Sequence, residues 1–279
     1  MRIGFVGAGK VGFSLSRYMS EQGISVEGFF SRSAASAQAA ADLTGSKAFS
    51  SLEEIVAACD CLFITVPDDA LADTWEEIRA FPLKEKIVCH CSGLVASSVF
   101  ADAEALGAYA YSLHPIMAVP HKEAMDSIAA AYFTIEGSLG AMDAIRSLFD
   151  QMGNPYEVIE SDKKPLYHAA CVSVSNLLNG LAKMGEDLFS QCGLDAAFSQ
   201  EAWRSLFLLQ AKNIAAMGVV DSLTGPVERR DVQTVSIHLS HLQNPEREIY
   251  RLLSNKVLDI AREKNPTRDY SLLEKELQQ

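Results

Sequence analysis

Residues 7–12 read Gly-Ala-Gly-Lys-Val-Gly, and they constrain this chain more than any other segment. They directly follow a short apolar run, 3–6. They open a stretch, 10–22, in which Val11, Leu15 and Met19 recur at helical spacing. A G-x-G-x-x-G turn between a strand and a helix is the phosphate-binding turn of a βαβ unit. In that role Gly7 permits the tight turn, Gly9 lets backbone approach a pyrophosphate, and Gly12 lets helix and strand pack closely. Ala8, Lys10 and Val11 complete the loop and the first helical turn, whose free N–H groups face the phosphates. The first part of the chain is therefore expected to bind a dinucleotide.

The alternation that the turn implies continues along the sequence. Further strands are expected at 24–30, 61–66, 86–90, 108–113, 131–135 and 156–159. The intervening helices are expected at 34–43, 52–58, 69–80 and 97–106. Segment 61–66 is almost continuously apolar, as a strand buried on both faces must be, so the centre of the sheet is expected to be parallel. This is an α/β pattern with helices on both faces, and it predicts a Rossmann domain over 1–160. Period-two alternation disappears near Glu160. Helical spacing takes over at 165–192, 198–217, 232–241 and 245–263, and predicts a second, all-helical domain over 161–279. Two domains suit a length of 279 residues.

The end of the second strand bears on the choice of dinucleotide. An acid about 20 residues past the glycines would bond a ribose 2′-hydroxyl. Here the residues are Ser31, Arg32 and Ser33, with no acid. A guanidinium flanked by hydroxyls suits a 2′-phosphate, so NADP, with NADPH preferred over NADH, is the expected cofactor. Ligands of such sheets lie beyond the carboxyl ends of the strands. That places Val66 and Pro67, then Ser92 and Gly93, and then His114 near the nicotinamide. Asp68 and Asp69 double as a helix start.

Composition excludes other classes. Lys and Arg total 24 against 36 Asp and Glu, a net charge of −12. No basic cluster offsets it, so neither nucleic acid nor an anionic membrane is an expected partner. No apolar run approaches the roughly 20 residues of a bilayer span, and no leader pattern opens the chain. A cytoplasmic protein with reduced cysteines is expected. Cys59 with Cys61, and Cys89 with Cys91, are too tightly spaced for a zinc knuckle, so no metal is expected.

Three segments carry a family resemblance. They are His90-Cys-Ser-Gly93, Lys164-Pro-Leu-Tyr-His168 with its continuation through Cys171 to Ser175-Asn176, and Leu223-Thr-Gly-Pro226 with Arg229 and Asp231. With the glycine turn they resemble the 6-phosphogluconate dehydrogenase-like superfamily. Within it they look like a subgroup of Rossmann-like NADP oxidoreductases, of deazaflavin-dependent type, with a C-terminal helical domain of uncharacterised function. The subgroup tends to show Arg-Gly-Asp where this chain has Arg229-Arg230-Asp231. The resemblance implies proton transfer by a lysine on the first helix after the sheet, here Lys164 or its neighbour Lys163. His168 stands where relatives place an asparagine that binds substrate. Spacing puts Lys164, His168, Cys171 and Ser175 on one helical face. Histidine as a residue type titrates near neutrality, which makes His168 an alternative proton donor and His114 a third candidate. His121, His238 and His241 read as structural or surface residues. A homodimer through the helical domain is implied as well. The expected reaction is hydride transfer between NADP(H) and a small polar carbonyl, hydroxy-acid or imine substrate in the interdomain cleft. An NADP–deazaflavin reductase and a non-catalytic dinucleotide sensor are its rivals.

Overall fold

The computed structural model describes residues 1–117 and 125–278. His121 lies outside the described residues. The chain divides into two compact units, Met1–Ser175 and Asn176–Gln279. The first runs β1 (Ile3–Val6), α1 (Lys10–Glu21), β2 (Val26–Phe30), α2 (Ala34–Thr44), β3 (Lys47–Ala48), α3 (Leu52–Ala58), β4 (Cys61–Ile64), α4 (Leu71–Ile78) and β5 (Ile87–His90). It continues with β6 (Tyr109–Ile116), α5 (Met125–Ala129), β7 (Tyr132–Gly137), α6 (Met142–Met152), β8 (Tyr156–Val158) and α7 (Lys164–Ser173). The second unit holds α8 (Asn176–Gln191), α9 (Ala196–Asp221), α10 (Val232–His241), α11 (Glu246–Lys264) and α12 (Ser271–Gln278).

One sheet of order β3-β2-β1-β4-β5-β6-β7-β8 organises the first unit. Its strands are parallel from β3 through β6, and β7 runs antiparallel to β6. Alternation along the strands sends side chains to two faces. One face stacks Phe29, Phe5 and Phe63, which are register partners on adjacent strands, with ring centroids 5.5 and 5.2 Å apart. Leu15 and Met19 of α1 and Phe149 of α6 close that layer. The opposite face carries Val6, Ile64 and Val88 beneath α3 and α4, with Trp75 buried among them.

Two expected helices differ from the structure. Segment 97–106 forms a single 3-10 turn, Ser97–Val99, followed by turns. Its polar groups are claimed by tertiary bonds. Trp75 Nε1 donates to Ala101 O at 2.8 Å, Ser97 N donates to Glu136, and Asp102 adopts φ 59°, which ends any helix. The long helix expected over 165–192 is broken between α7 and α8. Ser173 and Ser175 hydroxyls bond back to the carbonyls of Ala169 and Cys171 there, an alternative to continuing the helix. Ser175 therefore lies in a turn, off the helical face it was expected to extend. Helix α7 belongs to the first unit, so the structural division follows Ser175, whereas the hydrophobic pattern changes near Glu160. Helix α7 is held to the sheet by the side chains of Lys164 and Tyr167.

Among the described residues, the second unit's regular elements are all helices. Its core gathers Val235, Leu239, Leu258, Leu273 and Leu277 from α10, α11 and α12. Arg230, in the position where the resembled subgroup has glycine, sits at φ 56°. The chain thus keeps the left-handed conformation that a glycine would adopt freely. Among the described residues, no helix is long and apolar enough to cross a membrane.

Candidate functional site

The glycine turn opens α1 as the sequence requires. Gly9 is the N-cap, and no side chain caps the helix, so the first-turn N–H groups point outward along the helix dipole. The three glycines answer to different constraints. Gly7 sits at φ +106°, and a Cβ there would lie 2.8 Å from Thr65 O. At Gly12 a Cβ would collide with Thr65 Oγ1 and lie 2.8 Å from Gly7 O. At Gly9 the nearest atom would be 3.7 Å away, an ordinary contact, and φ is −77°. The protein itself has no need of glycine at position 9.

Two adjoining clefts run along the carboxyl ends of the strands. The first, about 370 Å³, is lined by Gly7, Ala8, Gly9, Ser31, Arg32, Ser36, Val66 and Pro67 among others. The second, about 320 Å³, is lined by Gly9, Lys10, Val11, Val66, Pro67 and Ser92 among others. Gly9, Thr65, Val66 and Pro67 belong to both. Arg32 has no hydrogen-bond or ion-pair partner among the described residues, so its guanidinium lines the first cleft unpaired. Ser33 does not line the trough. Its hydroxyl caps α2, accepting from Ser36 N at 3.3 Å, and Ser36 lines the cleft in its place. Sequence reading passed over Ser36, and it passed over Thr65, whose hydroxyl donates to Gly7 O at 2.8 Å.

At the other end the sheet face turns polar. Register places His90 beside Ser112, and Ser112 beside Glu136, in one row across β5, β6 and β7. His114 and Thr134 form the next row. By alternation these residues share the face of Val88 and Ala110. Helix α7 lays Lys164 against it. Lys164 is 1% exposed, and its Nζ donates to Ser92 O at 3.1 Å and to Ser112 Oγ at 2.8 Å. Neither partner is charged. Burial lowers the lysine's pKa, and the more distant Glu136 and Asp68 only partly oppose this. The neighbouring Lys163 is exposed and paired with Asp162 at 2.8 Å, which separates the two lysines by environment.

The loop after β5 is fixed from both sides. Ser92 N donates to His90 Nδ1 at 3.1 Å, and Ser92 Oγ donates to Asp68 at 2.7 Å. Ser92 Oγ also accepts from Leu94 N and Val95 N. Asp68 thus holds the loop as well as starting the 3-10 turn Asp68–Ala70. A Cβ on Gly93 would lie 2.7 Å from the His168 ring and 2.8 Å from His114 Nε2, so glycine there lets both imidazoles close in. Those rings are 6.3 Å apart. His114 Nδ1 is 2.6 Å from Tyr167 Oη, and that oxygen accepts from Thr134 Oγ1 at 3.1 Å. Burial, reinforced by the charge of Lys164, pushes the His114 pKa down to about 4. Burial likewise takes His90 down to about 4 and lifts Tyr167 to about 12. The structure therefore gathers Lys164, His114 and His168 around Ser92 and Gly93. Tyr167, Ser112, Thr134 and Glu136 join them, although sequence reading gave these no role. Only the α7 spacing of Tyr167, three residues beyond Lys164, signalled one of them.

Two family models match the chain, one on each side of the loop after β5. Residues 2–92 match the model of the family described as NADP oxidoreductase coenzyme F420-dependent. Residues 131–257 match a domain of unknown function, DUF2520. Both parts of the resemblance drawn from the sequence are met in these matches. None of the curated proteins matches the chain. Among solved structures, the chain is similar to the protein TM1727 from Thermotoga maritima, with 26% identity, 94% of this chain and 99% of that one covered, and a TM-score of 0.77. It is similar to BF3122 from Bacteroides fragilis, provisionally named an NADP oxidoreductase, at 20% identity, 92% and 98% coverage, and a TM-score of 0.73. A reductive aminase from Aspergillus terreus, solved with NADPH and ethyl-5-oxohexanoate, shares the fold at 19% identity, 98% coverage of each chain, and a TM-score of 0.64.

Proposed function

We propose that this chain, which joins an NADP oxidoreductase domain to a domain of unknown function, is an NADP(H)-dependent oxidoreductase. Its substrate is a small polar carbonyl, hydroxy acid or imine bound at the Ser92–Gly93 edge of the first unit. One observation carries the reading. Ser92 lines the trough that begins at the glycine turn, and its carbonyl is bonded to a buried lysine that has no carboxylate partner.

The residues present fit the cofactor. Gly9 presents bare backbone to both clefts, the uncapped α1 N-terminus suits a pyrophosphate, and the unpaired Arg32 with Ser31 and Ser36 suits a 2′-phosphate. When bound, NADPH supplies the hydride, and the protein supplies position and electrostatics. As hydride reaches a carbonyl carbon, its oxygen needs a proton. Lys164 holds one and, with its pKa lowered, is a better acid than a solvated lysine. The carbonyl becomes an alcohol, and the neutral lysine takes its proton back from solvent. Oxidation of a hydroxy acid runs the same path in reverse. His168 and His114 border the same spot.

The F420-dependent description covers residues 2–92 alone, which end before Lys164, His114 and Tyr167. It therefore bears on the dinucleotide half. Two copies pair through the second unit, a reading supported by Leu206, Leu209 and Val219 of α9, which are 62%, 57% and 56% exposed. Light scattering at micromolar concentration tests this, and a monomer refutes it. Six free cysteines suit the reducing cytoplasm in which we place the protein.

Fluorescence titration with NADPH and NADH tests the cofactor. NADPH is expected to bind the more tightly. Arg32→Ala should weaken NADPH about 10- to 100-fold, the worth of one charge-assisted contact, and leave NADH unchanged. Equal loss for both dinucleotides removes Arg32 from the discrimination, and no binding of either ends the oxidoreductase reading.

A further inference from the structure

The hydrogen bonds around Tyr167 bear on which nitrogen of His114 carries its proton. Thr134 Oγ1 donates to Tyr167 Oη, so the phenol proton is available for a second partner. His114 Nδ1, 2.6 Å away, is the strong acceptor in reach, the other neighbour being the weakly accepting thiol of Cys171. An Nδ1 that accepts leaves the proton of a neutral imidazole on Nε2. Burial and the nearby Lys164 keep that ring neutral. Among the described residues Nε2 has no hydrogen-bond partner. His90 is fully buried, whereas His114 is only partly buried. It borders Gly93, where any side chain would cover it.

We propose that Tyr167 is a positioning residue that locks His114 in its Nε2–H tautomer, so that the imidazole offers a fixed neutral N–H to an oxygen of the bound substrate. This rests on the reading of the Ser92–Gly93 edge as the substrate site, and it narrows the substrate class. A donor that cannot turn into an acceptor selects a lone pair. A carbonyl or carboxylate oxygen supplies one, and an iminium N–H does not. Of the expected classes, carbonyl and carboxylate compounds and neutral imines can accept this bond, and a protonated iminium, which offers only N–H, cannot. Tyr167 reaches them only through His114, with the phenol oxygen itself fixed by Thr134 on β7.

The test needs neither cofactor nor substrate. Long-range nitrogen–proton correlation spectra of the full chain, labelled at histidine, distinguish the two tautomers directly. The parent protein is expected to show His114 with a protonated Nε2 and a bare Nδ1 at neutral pH. Tyr167→Phe should convert this to a mixture, and Thr134→Val should shift it in the same direction, which covers the case that one variant fails to fold. A protonated Nδ1 in the parent, or unchanged tautomer populations in both variants, overturns the lock. With a carbonyl substrate, Tyr167→Phe should lower kcat about tenfold and leave the Kd for NADPH unchanged. Unchanged kcat overturns the substrate contact even where the tautomer is confirmed. A confirmed tautomer in a protein that binds no dinucleotide supports the lock and refutes the oxidoreductase reading instead, so the two failures are told apart.

Discussion

Alanine at two of the three turn glycines separates what the fold needs from what the ligand needs. At Gly9 the added Cβ meets nothing closer than 3.7 Å, and φ of −77° is open to any residue. There the substitution only reduces the freedom of the unfolded chain. It should leave stability unchanged or raise it by about 0.4–1 kcal/mol. At Gly12 the Cβ runs into Thr65 Oγ1 and the Gly7 carbonyl, two atoms that are bonded to each other at 2.8 Å. Relief requires shifting the turn, at a cost of about 1–3 kcal/mol for an overpacked site. Urea denaturation should therefore show the midpoint of Gly9→Ala at or above the parent's and that of Gly12→Ala clearly below it. NADPH titration should reverse the order of interest. Gly9→Ala places a methyl where a pyrophosphate must approach, and losing one or two charge-assisted hydrogen bonds costs about 1.5–3 kcal/mol, or roughly 10- to 100-fold in Kd. A folded Gly9→Ala that binds NADPH as the parent does would refute the placement of the dinucleotide across this turn.

Three further outcomes are expected. Lys164→Met replaces a buried ammonium whose neutral partners, Ser112 and Ser92, remain bonded to each other at 3.0 Å. Its urea midpoint should hold, while turnover falls on the order of 10²- to 10⁴-fold at unchanged NADPH affinity; retained turnover removes Lys164 from proton transfer. His90, fully buried with its pKa down from 6.5 to about 4, costs nothing above pH 6.5; below that the unfolded chain takes up a proton that the folded one refuses. Stability should therefore fall between pH 6.5 and 4, by at most about 3 kcal/mol from this residue, and His90→Gln should flatten the fall in urea midpoints between pH 7 and pH 4.5. Arg230→Gly relieves a left-handed arginine at φ 56° and should raise the melting temperature; a decrease shows that the arginine side chain holds that turn.

The first unit was legible because its rules are local. The glycine turn, the apolar run at Cys61–Ile64 and the Leu52–Ala58 helix each declare themselves within a few residues. The helix expected at 97–106 was not legible, because Trp75 and Glu136, distant in sequence, claim its backbone. Ser33 and Ser36 show the same limit at smaller scale. Both are hydroxyls near Arg32, and only the start of α2 assigns one to the cap and the other to the cleft. The polar row was hidden for a further reason. Ser112 and Thr134 read as unremarkable strand residues, and Glu136 fell just past the expected strand, until the antiparallel pairing of β6 and β7 sets Ser112 beside Glu136 and His114 beside Thr134. Lys164 was visible by resemblance, but its burial and its bond to Ser92 were not.

That row has a consequence for how such a site changes over time. His90, Ser112 and Glu136 are rungs of a ladder, fixed by backbone pairing rather than by loop conformation. A ladder moves only in whole steps, and a single step turns every rung to the other side of the sheet. Gradual adjustment is closed to this wall, which either persists intact or is lost. New chemistry in descendants of this chain must therefore be written on whatever faces the ladder, and the rungs themselves serve as the fixed ruler against which such changes are measured.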